Sequence, residues 1–287
     1  MAVDSPTAEH VIRAAEDASK INRELSFRHG NVVYLDTSLA DEVMITADLH
    51  GHQDNFTRIM QIADLENHPR RHLILQEVCH GGPTYHDSAA CKSHLMLAEV
   101  IQLKLQYPER VHFILSNHEL SEMTGFQIRK DGRMINLTFQ LGLRLEYEER
   151  WDDVHEALKG FIGSCPLGVL LPDNTFICHS VPESVDSQGF DVGVLDREWT
   201  EEDLNNGGDV FRLVWGRDYR PANAETFAKL LGTHLLINGH TPCEQGFQVP
   251  NDWQVILDCC SRPASYVLLP LNTSHNQQAL IQRIQML

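Results

Sequence analysis

Short apolar runs that stop abruptly at polar residues recur along this chain. Val43 to Ala47 and His72 to Leu75 are two such runs, and a third covers Val111 to Leu115. Runs of this length, bounded by polar and turn residues, are typical of buried strands. Apolar residues at helical spacing lie between them, around Phe56 to Ala63 and Leu97 to Leu105. This alternation predicts an α/β fold with parallel strands and crossover helices.

The second half of the chain has a different pattern. Residues 124–163 have apolar positions at helical spacing, and we expect them to form a cap beside the sheet without a strand of their own. Leu167 to Leu171 and Thr175 to Cys178 flank a Pro-Asp-Asn turn and predict a hairpin. A further strand is expected at Leu235 to Ile237, then two antiparallel strands, and finally a short helix over residues 277–287.

The ends of the chain and its helix starts give the domain organisation. A helical pattern from Ser5 to Leu25 predicts a peripheral helix within residues 1–30, and Asp87 is the expected cap of the helix before the third strand. We find no internal repeat, low-complexity segment or linker. The economical interpretation is a single domain over residues 1–287.

Composition excludes some classes of function. The chain has 287 residues and a net charge of -17, from 40 acidic and 23 basic residues, which argues against a nucleic-acid-binding surface. No apolar run approaches the roughly 18 residues of a membrane span, and the start lacks the features of a signal peptide. The seven cysteines include no CxxC pair, so we expect reduced thiols in a cytoplasmic protein.

Polar side chains follow five of the predicted strands, and sixteen histidines in the chain direct attention to metal ligands. Asp48 and His50 are two residues apart in an extended segment, so they point the same way. Six oxygen and nitrogen ligands are too many for one tetrahedral zinc ion and suit two ions bridged by a carboxylate. Their mixed chemistry favours Mn, Fe or Zn. The candidate ligands are Asp48, His50, Glu77, Asn117, His179 and His240.

These segments are similar to the motifs of a known family. Four of them carry the resemblance: Ala47-Asp48-Leu49-His50-Gly51-His52 (GDxHG), Ser116-Asn117-His118-Glu119 (GNHE), Cys178-His179-Ser180-Val181-Pro182 and Asn238-Gly239-His240-Thr241-Pro242. The chain resembles the metallophosphoesterases from about Val43 to Leu269, and most closely the phosphoprotein phosphatase family of Ser/Thr phosphatases. The resemblance implies a calcineurin-like α/β fold, in which a central β-sandwich of mixed sheets is flanked by helices.

The resemblance also implies a role for each position. Asp48, His50 and Glu77 would hold one metal ion. Glu77 would bridge to a second ion, whose other ligands would be Asn117, His179 and His240. Two such ions lower the pKa of a shared water, and the resulting hydroxide would attack phosphorus in line. His118 would protonate the leaving alkoxide as general acid.

One motif departs from the family pattern. Where the family has GDxVDRG, this chain reads Gln76-Glu77-Val78-Cys79-His80-Gly81-Gly82. The bridging aspartate becomes Glu77, the aspartate that supports the general acid becomes His80, and the arginine that clamps phosphate becomes Gly81. Because His80 offers no negative charge, we expect a lower pKa for His118 and activity that is reduced or shifted toward acid. Replacing His80 with Asp should then raise the rate.

The sequence therefore predicts a two-metal phosphomonoesterase with a phosphorylated protein or small phosphoester as its partner. Arg217 lies in a stretch that resembles the family's second phosphate-contacting arginine, and Arg262 is a weaker candidate. A nucleotide or dinucleoside polyphosphate hydrolase is the alternative enzyme, favoured by the GHTP form of the last motif. A metal-binding pseudophosphatase scaffold is the third hypothesis, favoured by the glycine at position 81.

Overall fold

The computed structural model describes residues 6–130 and 132–287, which form two layers of strands with helices around them. The strands, in chain order, are β1 (Arg28–His29), β2 (Val32–Tyr34), β3 (Glu42–Asp48), β4 (Arg71–Gln76), β5 (Val111–Ile114), β6 (Arg129–Lys130), β7 (Arg133–Met134), β8 (Gly168–Leu170), β9 (Thr175–Cys178), β10 (Leu235–Asn238), β11 (Phe247–Asn251), β12 (Gln254–Leu257), β13 (Ser265–Pro270) and β14 (Ile284–Met286).

The helices are α1 (Ala8–Glu24), α2 (Gln53–Ala63), α3 (Ser93–Gln106), α4 (Asn117–Thr124), α5 (Ile135–Tyr147), α6 (Trp151–Ile162), α7 (Val185–Gln188), α8 (Glu201–Leu204), α9 (Asp209–Trp215), α10 (Pro221–Leu231) and α11 (Gln277–Ile281). Short 3-10 turns occur at Glu148–Arg150 and Val192–Leu195. No helix among the described residues is both long and apolar enough to cross a membrane.

Both large sheets are mixed, as the family resemblance implies. Within the described residues, one has seven strands in the order β1-β2-β8-β9-β10-β12-β11, and the other has five in the order β14-β13-β3-β4-β5. The run β3, β4, β5 is parallel, which confirms the alternation of strands and helices in the first half. The hairpin of β8 and β9 is also confirmed. The strand β12 pairs in parallel with β10 and antiparallel with β11, so its expected antiparallel pairing is only half right.

Three local expectations were wrong. The segment 124–163 contains the hairpin of β6 and β7, and the last residues add β14 to the edge of a sheet after α11 has ended at Ile281. Strands of two or three residues are too short to show a periodicity. Asp87 does not cap α3, which begins at Ser93 after Lys92 without a side-chain cap. The helix α1 is capped by the Thr7 hydroxyl instead, and Ser5 lies outside the described residues.

Helices from the amino end and from the cap segment cover one face of the five-stranded sheet. The helix α1 packs along α6 and α3, and its alanines Ala15 and Ala18 are fully buried there. Phe161 of α6 is buried and stacks on Phe113 of β5, with ring centroids 6.1 Å apart. This contact fixes α6 against the strand that leads directly into α4, and α4 carries candidate site residues.

Removing the Phe161 ring tests this packing. Phe161→Ala should lower the free energy of unfolding by about 3–5 kcal/mol, because a buried aromatic side chain leaves a cavity that the sheet cannot fill. Urea unfolding followed by circular dichroism measures the change. Leu145→Ala on α5 is the control, since its side chain is 49% exposed, and it should change the free energy by no more than about 0.5 kcal/mol. Equal effects of the two variants would contradict the packing described.

Candidate metal centre

The carboxyl ends of strands from both sheets meet at one buried cluster. His240 N–H, just after β10, donates a hydrogen bond to Asp48 Oδ1 of β3 at 2.9 Å. Gly239 allows this approach, because a Cβ at that position would lie 2.3 Å from Asp48 Oδ1. The strand ends that contribute are those of β3 (Asp48, then His50), β4 (Glu77), β5 (Asn117 and His118), β9 (His179) and β10 (His240). The structure therefore brings together every metal-ligand candidate from the sequence.

Four of these residues place polar atoms about one hydrogen-bond length apart. His179 Nε2 lies 2.7 Å from Asn117 Oδ1, 3.1 Å from His240 Nδ1 and 3.1 Å from Glu77 Oε2. His240 Nδ1 lies 2.9 Å from Asn117 Oδ1. All four side chains are buried. Such a convergence of acceptor atoms is unfavourable unless protons or a cation lie between them.

The hydrogen bonds around His179 show which of its nitrogens carries the proton. His179 Nδ1 lies 2.8 Å from Gln76 Oε1, and the Gln76 amide is oriented by its own donation to Thr46 O at 3.0 Å. An amide oxygen only accepts, so His179 Nδ1 donates and Nε2 keeps its lone pair. Glu77 Oε2 is buried and accepts no hydrogen bond from any described residue. Two buried atoms that can both act as ligands, 3.1 Å apart, suit a shared cation.

A second group forms on the other side of Glu77. His50 Nδ1 donates to Cys79 O at 3.0 Å, so in the neutral ring the lone pair is on His50 Nε2, which lies 3.7 Å from Glu77 Oε1. His118 Nε2 lies 3.5 Å from the same oxygen. The first group is His50, Glu77 and His118, and the second is Glu77, His179 and His240. Within each group, one ligand atom from each residue lies within 4.8 Å of the ligand atoms of the other two residues. Glu77 thus faces both groups, one with each oxygen, as a bridging carboxylate would.

Asp48 has a different environment from the one its motif implies. Its Oδ1 accepts the His240 N–H and lies 3.9 Å from His179 Nδ1, and the structure groups His118, rather than Asp48, with His50 and Glu77. Asp48 is nevertheless buried beside Glu77. Burial and the charge of Glu77 raise the pKa of Asp48, and burial and the charge of Glu119 raise the pKa of Glu77. Two buried carboxyls of this kind gain most from a neighbouring cation.

The backbone at the site is held in unusual conformations. His50, Glu77, His80 and His240 have φ angles of +43°, +45°, +59° and +70°, in the left-handed region that residues with a Cβ rarely adopt. Each such residue costs about 1–3 kcal/mol and persists where the surrounding structure enforces it. The strand ends therefore turn sharply at the residues that face the cluster, which aims their side chains inward.

The two glycines after His80 lie close to the backbone of the loop after β3. Gly81 has φ +140°, and a Cβ there would lie 2.6 Å from His50 O, while a Cβ on Gly82 would lie 2.2 Å from Gly51 O. The loop after β4 and the loop after β3 thus touch backbone to backbone. A side chain at position 81 would force them apart, so this arrangement of the two loops does not accommodate the arginine of the motif.

His118 is part of a buried chain of hydrogen bonds. Its Nδ1 lies 2.9 Å from His80 Nδ1, and His80 Nε2 lies 2.6 Å from Glu122 Oε1. Burial lowers the pKa of His118, and so do the neighbouring His50 and His80, which is the direction expected from the sequence. The interpretation of His80 as a partner without negative charge is incomplete, however, because the Glu122 carboxylate lies directly behind it.

Sequence reasoning missed Glu122, as well as Gln76 and Glu119. Glu122 lies four residues after His118 on α4, and this spacing on one helix face was the available signal. Glu119 Oε1 accepts the N–H groups of Val78 and Cys79 at 2.9 and 2.8 Å, which holds the loop after β4 in place. No pattern in the sequence indicated that Gln76 orients His179.

Positive charge near the cluster comes from Arg217 and Lys130. Arg217 is exposed, and its Nη2 donates to His240 O at 3.3 Å. The charges of Arg217 and Lys130 both lower the pKa of Glu77, against the larger effect of burial. Lys130, on the β6–β7 hairpin, was not predicted from the sequence. Arg262 instead forms an exposed ion pair with Asp54 at 3.0 Å.

The sequence and the fold of this chain are both similar to those of known proteins. The sequence profile of the calcineurin-like phosphoesterase family matches residues 42–244. No curated protein sequence matches the chain significantly. A protein serine/threonine phosphatase from Saccharomyces cerevisiae, described as similar to human phosphatase PP5, superposes with a TM-score of 0.71 at 12% identity, over 98% of this chain and 89% of that one.

A cold-active protein-tyrosine phosphatase of a psychrophilic Shewanella species is also similar. It superposes with a TM-score of 0.54 at 12% identity, over 88% of this chain and 80% of that one. At these identities the two likenesses show the fold, and the family match extends over most of the chain. The chain therefore belongs to the calcineurin-like phosphoesterase family and is a metal-dependent phosphoesterase.

Proposed function

We propose that this protein is a cytoplasmic two-metal phosphomonoesterase of the phosphoprotein phosphatase type, acting on phosphoserine or phosphothreonine in proteins. One observation carries the proposal: the unprotonated Nε2 of His179 faces Glu77 Oε2, a buried oxygen that accepts no hydrogen bond from the described residues. The likeness to a protein serine/threonine phosphatase over 98% of the chain supports the substrate class. Seven free cysteines support the location.

The donor atoms fit two ions of Mn, Fe or Zn. Histidine nitrogens with carboxylate and amide oxygens form a mixed set that these metals accept, and Glu77 offers one oxygen to each group. Such ions, when bound, act as Lewis acids and lower the pKa of water at the site. The residues proposed to hold them are Asp48, His50, Glu77, Asn117, His179 and His240.

The remaining site residues have proposed roles in proton transfer and phosphate binding. His118 directs its Nε2 into the cluster, 3.5 Å from Glu77 Oε1, and it would donate a proton from that nitrogen to the leaving oxygen. His80 bonds to the other nitrogen of His118 and would hold the ring in place. Arg217, with its guanidinium beside His240 O, would contact the phosphate oxygens.

Metal content and activity together test the proposal. Wild type should bind two Mn²⁺ ions and hydrolyse an aryl phosphate and a phosphoserine peptide, whereas Asn117→Ala and His240→Ala should lose metal and activity. His118→Asn should keep both ions and lose about 10²- to 10⁴-fold in kcat, since it removes only the proton donor. Metal analysis and steady-state kinetics measure these changes.

The exposed His86 provides the matched control, because its ring makes an ion pair with Asp87 on the surface. His86→Asn should leave metal content and rate unchanged. Loss of one ion from His118→Asn would show that His118 is a ligand beside His50 and Glu77 rather than the proton donor. Wild-type protein that binds both ions and hydrolyses no phosphoester would instead identify a scaffold.

Metal binding should stabilise the protein more at pH 8 than at pH 6. The pKa values of Asp48 and Glu77 are raised by burial, so the metal-free protein loses stability as pH rises above the ordinary carboxyl pKa of about 4. Bound metal favours the ionised forms and removes this loss. Scanning calorimetry of chelator-treated protein with and without Mn²⁺ at both pH values measures the increase in Tm. An increase that is equal or smaller at pH 8 would contradict the expectation.

Position 81 should not accept a side chain. Gly81→Ala should lower kcat/KM by more than about tenfold, because its Cβ pushes the backbone of His50 away from the cluster and small displacements of reacting groups are costly. Gly81→Arg should not restore a phosphate clamp and should be at least as inactive. Phosphate inhibition and kinetics measure both effects.

Gly125 is the matched control for Gly81. It has φ +75°, so an alanine there is strained in the backbone as at Gly81, but no atom lies within 4 Å of its added Cβ. Gly125→Ala should lower stability by about 1 kcal/mol and leave kcat/KM unchanged. Higher phosphate affinity in Gly81→Arg would show that the two loops separate easily.

A further inference from the structure

Glu122 is a buried carboxylate held by three neighbours. Its side chain is about 1% exposed, and its Oε1 lies 2.6 Å from His80 Nε2 and 2.8 Å from Asn136 Nδ2. Its Oε2 lies 3.0 Å from His155 Nε2. Burial alone would raise the pKa of Glu122, but the hydrogen bonds from His155 and His80 outweigh it and the pKa is lowered. Glu122 is therefore ionised and accepts hydrogen bonds only.

This fixes where the protons lie on both histidines. His80 Nε2 must donate to Glu122, so in the neutral ring His80 Nδ1 has a free lone pair. His80 Nδ1 then accepts a hydrogen bond, and the atom 2.9 Å away is His118 Nδ1, which must carry a proton. With Nδ1–H donating to His80, the proton that His118 gains in its charged form is on Nε2, which faces the metal cluster and from which it would pass to the leaving oxygen.

We infer that Glu122 is a positioning residue for the proton donor His118, acting through His80 in place of the aspartate that the divergent motif lacks. The inference rests on the proposed function, in which His118 protonates the leaving oxygen. A carboxylate that orients a catalytic histidine normally bonds to it directly and fixes its tautomer. Here the carboxylate of Glu122 orients His118 through one additional ring, that of His80. Glu122 lies on α4, the helix that also carries His118.

The surroundings keep this chain rigid. The ring of Phe139 packs edge-on against His80 with centroids 5.6 Å apart, and His155 and Asn136 hold Glu122 from α6 and α5. Because these helices belong to the cap segment, Glu122 also joins the cap to the site. A purely structural role for Glu122 is therefore the competing explanation, and the experiment must separate it from positioning.

A positioning role and a structural role of Glu122 can be separated by comparing kcat for substrates with different leaving groups. Nitrophenolate leaves without much protonation, whereas an alkoxide needs the proton from His118. Glu122→Gln should therefore lower kcat for an alkyl phosphate by about tenfold to a hundredfold more than for p-nitrophenyl phosphate, with two Mn²⁺ ions still bound. An equal loss for both esters would overturn the inference and indicate a structural role. The exposed Glu156, on α6, gives the control Glu156→Gln, which should change neither rate.

A second variant gives a result that structural damage cannot imitate. In a His80→Asp background the new carboxylate would face His118 directly but would be repelled by Glu122. With Glu122 in place, His80→Asp alone should therefore gain little, in contrast to the increase in rate expected from the sequence. Adding Glu122→Gln to this variant should then raise the rate with the alkyl phosphate, whereas the same substitution in wild type should lower it. A further fall in the double variant would overturn the inference.

Nitrogen-15 NMR of histidine in the Zn²⁺-loaded protein gives a readout independent of turnover. His80 should be protonated at Nε2 and His118 at Nδ1 in wild type, and Glu122→Gln should broaden or shift the His80 Nε2 signal. Protonation of neutral His80 at Nδ1 would overturn the inference. If wild type hydrolyses neither ester, the proposed function fails, while these tautomers still decide whether Glu122 orients the pair.

Discussion

The carboxylate of Glu77 is the feature on which the rest of the site depends. It is buried at the carboxyl end of β4 with φ +45°, and each of its oxygens faces a different group of histidines. A charge in this position is unfavourable unless a cation compensates it, so a bound metal ion would offset the cost of burying Glu77. The surrounding hydrogen bonds orient the histidine rings so that a nitrogen lone pair, and not an N–H group, faces the cluster. The hydrogen bond between His179 and Gln76 is an example.

The residues of the divergent motif make contacts with other parts of the chain. Where the family has aspartate, arginine and glycine, this chain has His80, Gly81 and Gly82, and the two glycines let the loops after β3 and β4 touch. His80 would lack a charged partner, but Glu122 supplies one from α4. A position-by-position comparison of the motif therefore overlooks a carboxylate that lies next to His80 in the fold.

Features of the fold and the site that depend on neighbouring residues could be predicted from the sequence, and features that depend on contacts between distant residues could not. The parallel strands and the ends that carry Asp48, Asn117 and His179 could be predicted, because apolar runs and turn residues are local signals. The tiny strands β6, β7 and β14 could not, since a few residues have no period and their pairing is decided by the neighbouring chain. Glu122 was missed because its role depends on a second side chain lying between it and His118.

Gly239 lies where the two sheets meet, and the lack of a side chain at this position allows their close approach. The space that its Cβ would occupy is already filled by Asp48 Oδ1 at 2.3 Å and Gln76 Oε1 at 3.1 Å, both from the other sheet. These three positions therefore share one fixed volume. A bulkier residue at 239 can be accommodated only if the side chain at 48 or 76 becomes smaller. Because those two side chains position His240 and His179, moving the sheets apart would displace the histidines of the site. Substitutions at these positions are thus expected to be non-additive and to accumulate together.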